Sequence, residues 1–280
     1  MRIYRYWARA RCDQQGRPDD AGFVTGVGWS DRSEHEAAQM AQQRARQAAE
    51  QIGGGRGWAD WAYYPDRPMQ EPVVDELKAD GRVIAAITRN AYGCFVLNAA
   101  EVMFVDIDDP EKPALGGLIG KLFGRKPEPA KDDIPAHVAG VAQADGGLTV
   151  RLYRTAGGYR GIVVNQLFNP TSAQTTDLLN AFGSDGLYIR LCTTQECFRA
   201  RLTPKPWRCG MRRPPCRYPW EGDSDRLMFE DWSKRYEKTI ADYTVCQYLE
   251  TIGNGAVHPA VEPVLKMHDE LTCAGSGKLA

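Results

Sequence analysis

Residues 82–110 constrain the fold most tightly. Three β-like runs follow closely on one another, RVIAAIT (82–88), YGCFVLN (92–98) and EVMFVDI (101–107), and the last runs straight into Asp108, Asp109 and Pro110. Their short length and their aromatic and β-branched content suit strands, and Asn98-Ala99-Ala100 is short enough for a hairpin turn between the last two. The end of the third run needs a separate explanation. Carboxylates packed this closely repel one another, at a cost to stability unless a cation lies between them. Asp106 and Asp108 are two residues apart, so on a strand they leave the same face with Cα atoms about 6.5–7 Å apart. There they can converge on Mg2+ or Mn2+, hard ions that take oxygen ligands and also bind substrate phosphates. Ile107 points the other way and anchors the pair. Asp109 falls on the opposite face and suits the turn before Pro110. The alternative is a plain strand followed by an acidic turn.

The rest of the chain extends the pattern. IYRYWARA (3–10) and GFVTGVGWS (22–30) read as strands. Ser33 and Glu36 form a capping box for a helix running to about Ile52, ended by Gly53-Gly54-Gly55. Residues 57–72, with two tryptophans, two tyrosines and three prolines, read as a packed loop or an aromatic ligand-binding surface. Residues 109–134 are rich in glycine and proline and read as an inserted mobile loop. GLTVRLYRT (147–155) and GGYRGIVVNQ (157–166) form a second hairpin, and 171–181 a short helix capped by Thr171 or Ser172. GLYIRLC (186–192) and FRARLTP (198–204) read as strands, and 205–221 as irregular. A helical period runs over 224–250 through Leu227, Trp232, Tyr236, Ile240, Tyr243 and Tyr248, and Pro259 opens a final helix. The expected class is α+β: a mixed or antiparallel sheet built from hairpins, flanking helices, and C-terminal helices. The expected division is an α+β domain over 1–222 and a helical extension over 223–280.

Composition limits the functional classes. The chain has 280 residues, 43% hydrophobic and 25% charged, ordinary values for a globular protein. No run of about 18 apolar residues exists, so a membrane span is not expected. The N-terminus lacks the apolar stretch of a secretion signal, and the expected compartment is the cytoplasm. A net charge of -1 argues against a globally basic nucleic-acid coat but hides a local asymmetry. Between Arg190 and Arg217 lie eight basic residues and one acid, Glu196. Arg199 and Arg201 share a strand face, and Lys205 and Arg208 flank Trp207. Cations interleaved with an aromatic make a workable strip for nucleic acid or triphosphate, through phosphate pairing and base stacking. The alternative is a solvated basic loop paired to Glu221, Asp223 and Asp225. Cys192, Cys197, Cys209 and Cys216 lie in the same segment, spaced C-x4-C-x11-C-x6-C. Structural zinc uses tighter knuckles, so inert thiols compete with a Zn2+ site. His268 and Asp269, neighbours on the last helix, suggest surface or capping residues.

YRTAGGYRG (153–161) completes the pattern. Adjacent glycines let a phosphate approach the backbone, Thr155 supplies a hydroxyl, and Arg154 and Arg160 supply charge. The alternative is a tight hairpin turn. Together, FVDIDD (104–109) and TAGGYRGIVV (155–164) resemble two motifs of the archaeo-eukaryotic primase–polymerase superfamily: a strand ending in hydrophobic-D-x-D, then a glycine-rich strand turn. The resemblance covers roughly 82–220. It implies a primase–polymerase-like core in which Asp106 and Asp108 bind catalytic divalent metal, with Asp185 or Asp177 as third carboxylate. It also implies that Thr155, Gly157, Gly158 and Arg160 handle nucleotide phosphates. The implied function is nucleotidyl transfer from nucleoside triphosphates to a nucleic-acid strand. One departure bears on this. The family's second motif usually carries a histidine, and no histidine stands between His137 and His258 here. A non-catalytic nucleic-acid-binding protein on the same fold, or a metal-dependent nuclease, are the alternatives.

Overall fold

The computed structural model describes residues 1–13, 15–18, 24–53, 68–109, 133–273 and 277–280. Most of the expected insertion, 110–132, and residues 57–67 of the aromatic-rich stretch lie outside these.

The chain opens with a hairpin, β1 (Tyr6–Cys12) and β2 (Val24–Ser30), laid against helix α1 (Glu34–Gly53). Glycine makes the contact close. A Cβ on Gly26 would fall 2.2 Å from the Ala41 carbonyl oxygen, and one on Gly28 2.0 Å from that of Ala37. The capping box is half formed: Ser33 Oγ accepts from the Glu36 amide, while the Glu36 carboxylate accepts from the Ser30 hydroxyl instead.

Two four-stranded antiparallel sheets follow. The first has the order β3-β4-β5-β9, from Val73–Ala79, Arg82–Arg89, Phe95–Ala99 and Phe198–Arg201. Strand β3 has no counterpart in the sequence reading. Its signal was Asp80-Gly81, both at positive φ (50° and 74°), the Asp-Gly turn that favours tight hairpins. The second sheet has the order β11-β7-β8-β6, from Cys246–Ile252, Val150–Thr155, Gly158–Val163 and Phe104–Asp108. The hairpin expected across Asn98-Ala99-Ala100 does not form. Strand β5 pairs with β4 and β9, and β6 crosses to the second sheet to pair with β8. The hairpin of β7 and β8 forms as expected.

Helices cover the sheets: α2 (Ile134–Ala144), α3 (Ala173–Ala181, capped by Ser172), α4 (Gly186–Gln195), α5 (Asp223–Ile240) and α6 (Glu262–Thr272). Residues 186–192 are therefore helix, not strand, because Asp185 caps them: its carboxylate accepts from the Leu187 and Tyr188 amides. The helix expected over 224–250 ends at Ile240. Residues 243–244 form the short strand β10, paired in parallel with β12 (Lys278–Leu279), and 246–252 form β11. Since β11 hydrogen-bonds to β7, the second sheet takes strands from both sides of residue 222. One apolar core joins both sheets with α2, α3, α4 and α6, from Leu97 and Phe198 to Phe104, Leu152, Leu179 and Leu265. Among the described residues no helix is long and apolar enough to cross a membrane.

Candidate functional site

Strand β6 is the edge of its sheet, and its outer side is not left open. The Asp185 amide donates to the Asp106 carbonyl (3.1 Å) and the Tyr188 hydroxyl to the Phe104 carbonyl (2.8 Å), so the start of α4 seals the edge. On the inner side Asp106 stands opposite Arg160 and Asp108 opposite Gly158. The two carboxylates share one face, as their spacing predicts, and Ile107 is buried on the other. Asp109 is no part of the pair. Its carboxylate is buried in an ion pair with Arg154 (2.6 Å), and its amide donates to the Gly157 carbonyl.

The glycine hairpin serves the fold first. A Cβ on Gly158 would meet the Ile107 carbonyl oxygen at 2.0 Å, so glycine is what lets β6 lie alongside β8. The Thr155 hydroxyl accepts from the Gly157 amide within the turn. Arg160 is buried, and its Nη1 donates to the Arg201 carbonyl, Cys246 Sγ and His268 Nε2. It ties the second sheet to β9 of the first. Arg154 lies on the opposite face, against Tyr159 and Asp109.

The basic strip divides in two. Arg199 turns inward, its Nη2 within 2.8–2.9 Å of both Glu71 oxygens and its Nη1 on Asn98 Oδ1. Arg201, on the same strand face, and Lys205 and Arg208 beyond it are partly exposed, and make no hydrogen bond or ion pair through their charged ends with any described residue. They are close enough to disfavour one another's charge. Burial and the neighbouring Arg201 and Arg208 push the Lys205 pKa down, with Asp106 opposing. Burial and Arg201 do the same to Arg208, with Asp106 and Asp108 opposing. Arg208 lies over the glycine turn, its Nη2 3.0 Å from where a Gly157 Cβ would be. Strand β9 and the 3-10 turn Pro206–Cys209 thus gather three half-buried cations, of which Lys205 and Arg208 feel the charge of the carboxylates.

The third carboxylate does not join them. Asp185 is engaged as the cap of α4, and Asp177 is exposed on α3. Among the described residues no three His, Cys, Asp or Glu side chains are grouped to hold a metal. The four cysteines do not assemble as a zinc set. Cys192 and Cys197 are buried around α4, Cys209 under the 3-10 turn near Cys94, and Cys216 donates to the Asp225 carbonyl at the start of α5. Asp106 and Asp108 alone still suit Mg2+ or Mn2+, which commonly use one or two carboxylates and complete their shell with water and substrate phosphate. The Asp106 carboxylate is half-buried and accepts no hydrogen bond from a described residue.

His268 was not legible as part of this region. It is fully buried on α6, beneath Arg160. Arg160 can only donate, so Nε2 accepts and the ring proton sits on Nδ1, which donates to Asp269. Burial pushes the His268 pKa down to about 4, keeping the ring neutral. Asp269 in turn accepts from the Tyr153 hydroxyl and pairs with Arg151. The signal lay in the i, i+3/i+4 stripe Val264, Leu265, His268, which faces the core.

No family model matches this chain, and neither a curated protein nor a solved structure matches it.

Proposed function

We propose that the chain is a divalent-metal-dependent nucleotidyltransferase of primase–polymerase type. Asp106 and Asp108 would hold Mg2+ or Mn2+, and Arg201, Lys205 and Arg208 the triphosphate. The observation that carries this reading is the juxtaposition of three half-buried cations, with no ion-pair partner among the described residues, and two carboxylates on one strand face. Like charges gathered in this way favour a multivalent anion, and carboxylates beside them favour one that arrives with a divalent cation. The ion, when bound, supplies charge neutralisation at the phosphates and a lowered pKa for the attacking hydroxyl. The chain's own part is positional. Strand β6, its edge sealed by α4, fixes the carboxylates. Arg160 fixes the carbonyl of Arg201 and with it the start of the cationic row.

Incorporation of labelled nucleotide on primed and unprimed templates, with Mn2+ or Mg2+, tests the reading. Wild-type extension that falls to background in Asp106→Asn and Asp108→Asn supports it. Cleavage of the template in place of extension would show a nuclease. A second reading is favoured by the engagement of Asp185 as a helix cap: nucleotide binding without transfer. It predicts metal-dependent nucleotide retention, still lost in the aspartate variants, with no extension product.

A further inference from the structure

We infer that Tyr92, Trp207 and Arg213 form a stacking platform for the bases of a single-stranded nucleic acid, leading to the carboxylate site. The identification of the ligand as nucleic acid rests on the function proposed above. Trp207 is 44% and Tyr92 38% exposed, and because the two rings touch they form one contiguous aromatic patch rather than scattered side chains. They come from separate segments and meet edge to face, 5.2 Å apart at 90°. The Arg213 guanidinium lies 4.9 Å from the Tyr92 ring and 5.0 Å from the Trp207 ring, with Lys205 Nζ 5.6 Å from Trp207.

Both rings are mounted on stiff supports. Tyr92 sits in the turn between β4 and β5, where Asn90 Oδ1 accepts from the Tyr92 and Cys94 amides. Gly93, at φ 81°, lets Trp232 pack directly beneath that turn, 2.2 Å from where a Cβ would be. Trp207 sits in the 3-10 turn, closed by the Met211 amide on the Pro206 carbonyl and by Gly210 at φ 74°. The Trp232 indole donates to the Arg212 carbonyl, which ties the segment before Arg213 to α5. Fixed rings lose little freedom on stacking. The charge around them is positive: Lys205, Arg208, Arg212 and Arg213 lie in the same short segment. Exposed rings offer π-faces that every base can use, and the cations match a phosphate backbone. Duplex DNA hides its base faces, so the platform selects single strands. Arg208 is the residue next to Trp207 and also lies over the glycine turn, so a strand stacked here has a path to Asp106 and Asp108.

Anisotropy of a labelled oligo-dT, with a duplex of equal length as control, tests the platform. The expected result is a preference for the single strand and a loss of about 5- to 150-fold in affinity for Trp207→Ala or Tyr92→Ala. Trp207→Phe, which keeps a ring, should retain most of the affinity, and Arg213→Ala should reduce the salt slope by about 0.7. Unchanged affinity in Trp207→Ala and Tyr92→Ala, or equal binding of the duplex, would overturn the inference. Mn2+-dependent nucleoside triphosphate retention is measured on the same wild-type protein. Retention without oligonucleotide binding overturns the platform alone, and oligonucleotide binding without retention overturns the proposed site alone.

Discussion

Arg199 and Arg201 leave the same strand face two residues apart, and the fold uses them in opposite ways. Arg199 is closed into a buried pair with Glu71, 128 residues away in sequence, while Arg201 stays partly exposed near Lys205 and Arg208. Alternation could place both on one face but could not name the distant partner. Breaking a buried pair from one side leaves an uncompensated charge, so Glu71→Gln or Arg199→Met should cost about 3–5 kcal/mol in chemical denaturation. Arg201→Met should change stability by less than about 1 kcal/mol and weaken triphosphate binding instead. His268 adds a pH signature. A histidine titrates near 6.5 in an unfolded chain but at about 4 here, so the unfolded state binds the extra proton between those values. This contribution is complete above about pH 6.5 and is lost as pH falls towards 4, by up to about 3 kcal/mol. Burial raises the Asp269 pKa, but its hydrogen bonds from His268 and Tyr153 outweigh that and hold it low, which adds acid sensitivity in the same direction at lower pH. Urea midpoints across this range should slope in wild type and flatten in His268→Gln.

The elements show where sequence patterns suffice and where they do not. The hairpin of β7 and β8 was legible because alternation and the Gly-Gly turn agree. GLYIRLC was not, since a short apolar run does not distinguish strand from helix by periodicity. The deciding residue was Asp185, read for its charge when it acts as a cap. Tyr248 continued the helical period of α5, yet strand pairing with Tyr153 on β7 overrides it. The turn at Asn98-Ala99-Ala100 was short enough for a hairpin, but β5 is already flanked by β4 and β9, which leaves β6 to find β8. The glycine hairpin gives a paired test at this scale. An alanine at 158 meets backbone that no rotamer change can move, so Gly158→Ala should cost about 1–3 kcal/mol or more and displace both aspartates. An alanine at 157 meets only the tip of Arg208, so Gly157→Ala should keep the melting temperature within a few degrees and alter nucleotide affinity.

Across the whole molecule, two antiparallel sheets share one core, and Arg160 reaches from one to the other to bond the Arg201 carbonyl. The candidate site lies at that junction. Its parts come from strands β6 and β9, the glycine turn and the 3-10 turn, with α6 bracing Arg160 from behind. The carboxylates and the basic segment could each be picked out from the sequence. Their meeting could not, because it depends on β6 leaving the first sheet and on β9 returning beside it. Anomalous diffraction from crystals grown with Mn2+ and a non-hydrolysable nucleoside triphosphate tests directly whether Asp106 and Asp108 hold a metal. A peak is expected about 2.0–2.3 Å from oxygens of Asp106 and Asp108, with the phosphates held by Arg201, Lys205 and Arg208. A nucleotide bound elsewhere, or no manganese between the two aspartates at saturating nucleotide, would contradict this.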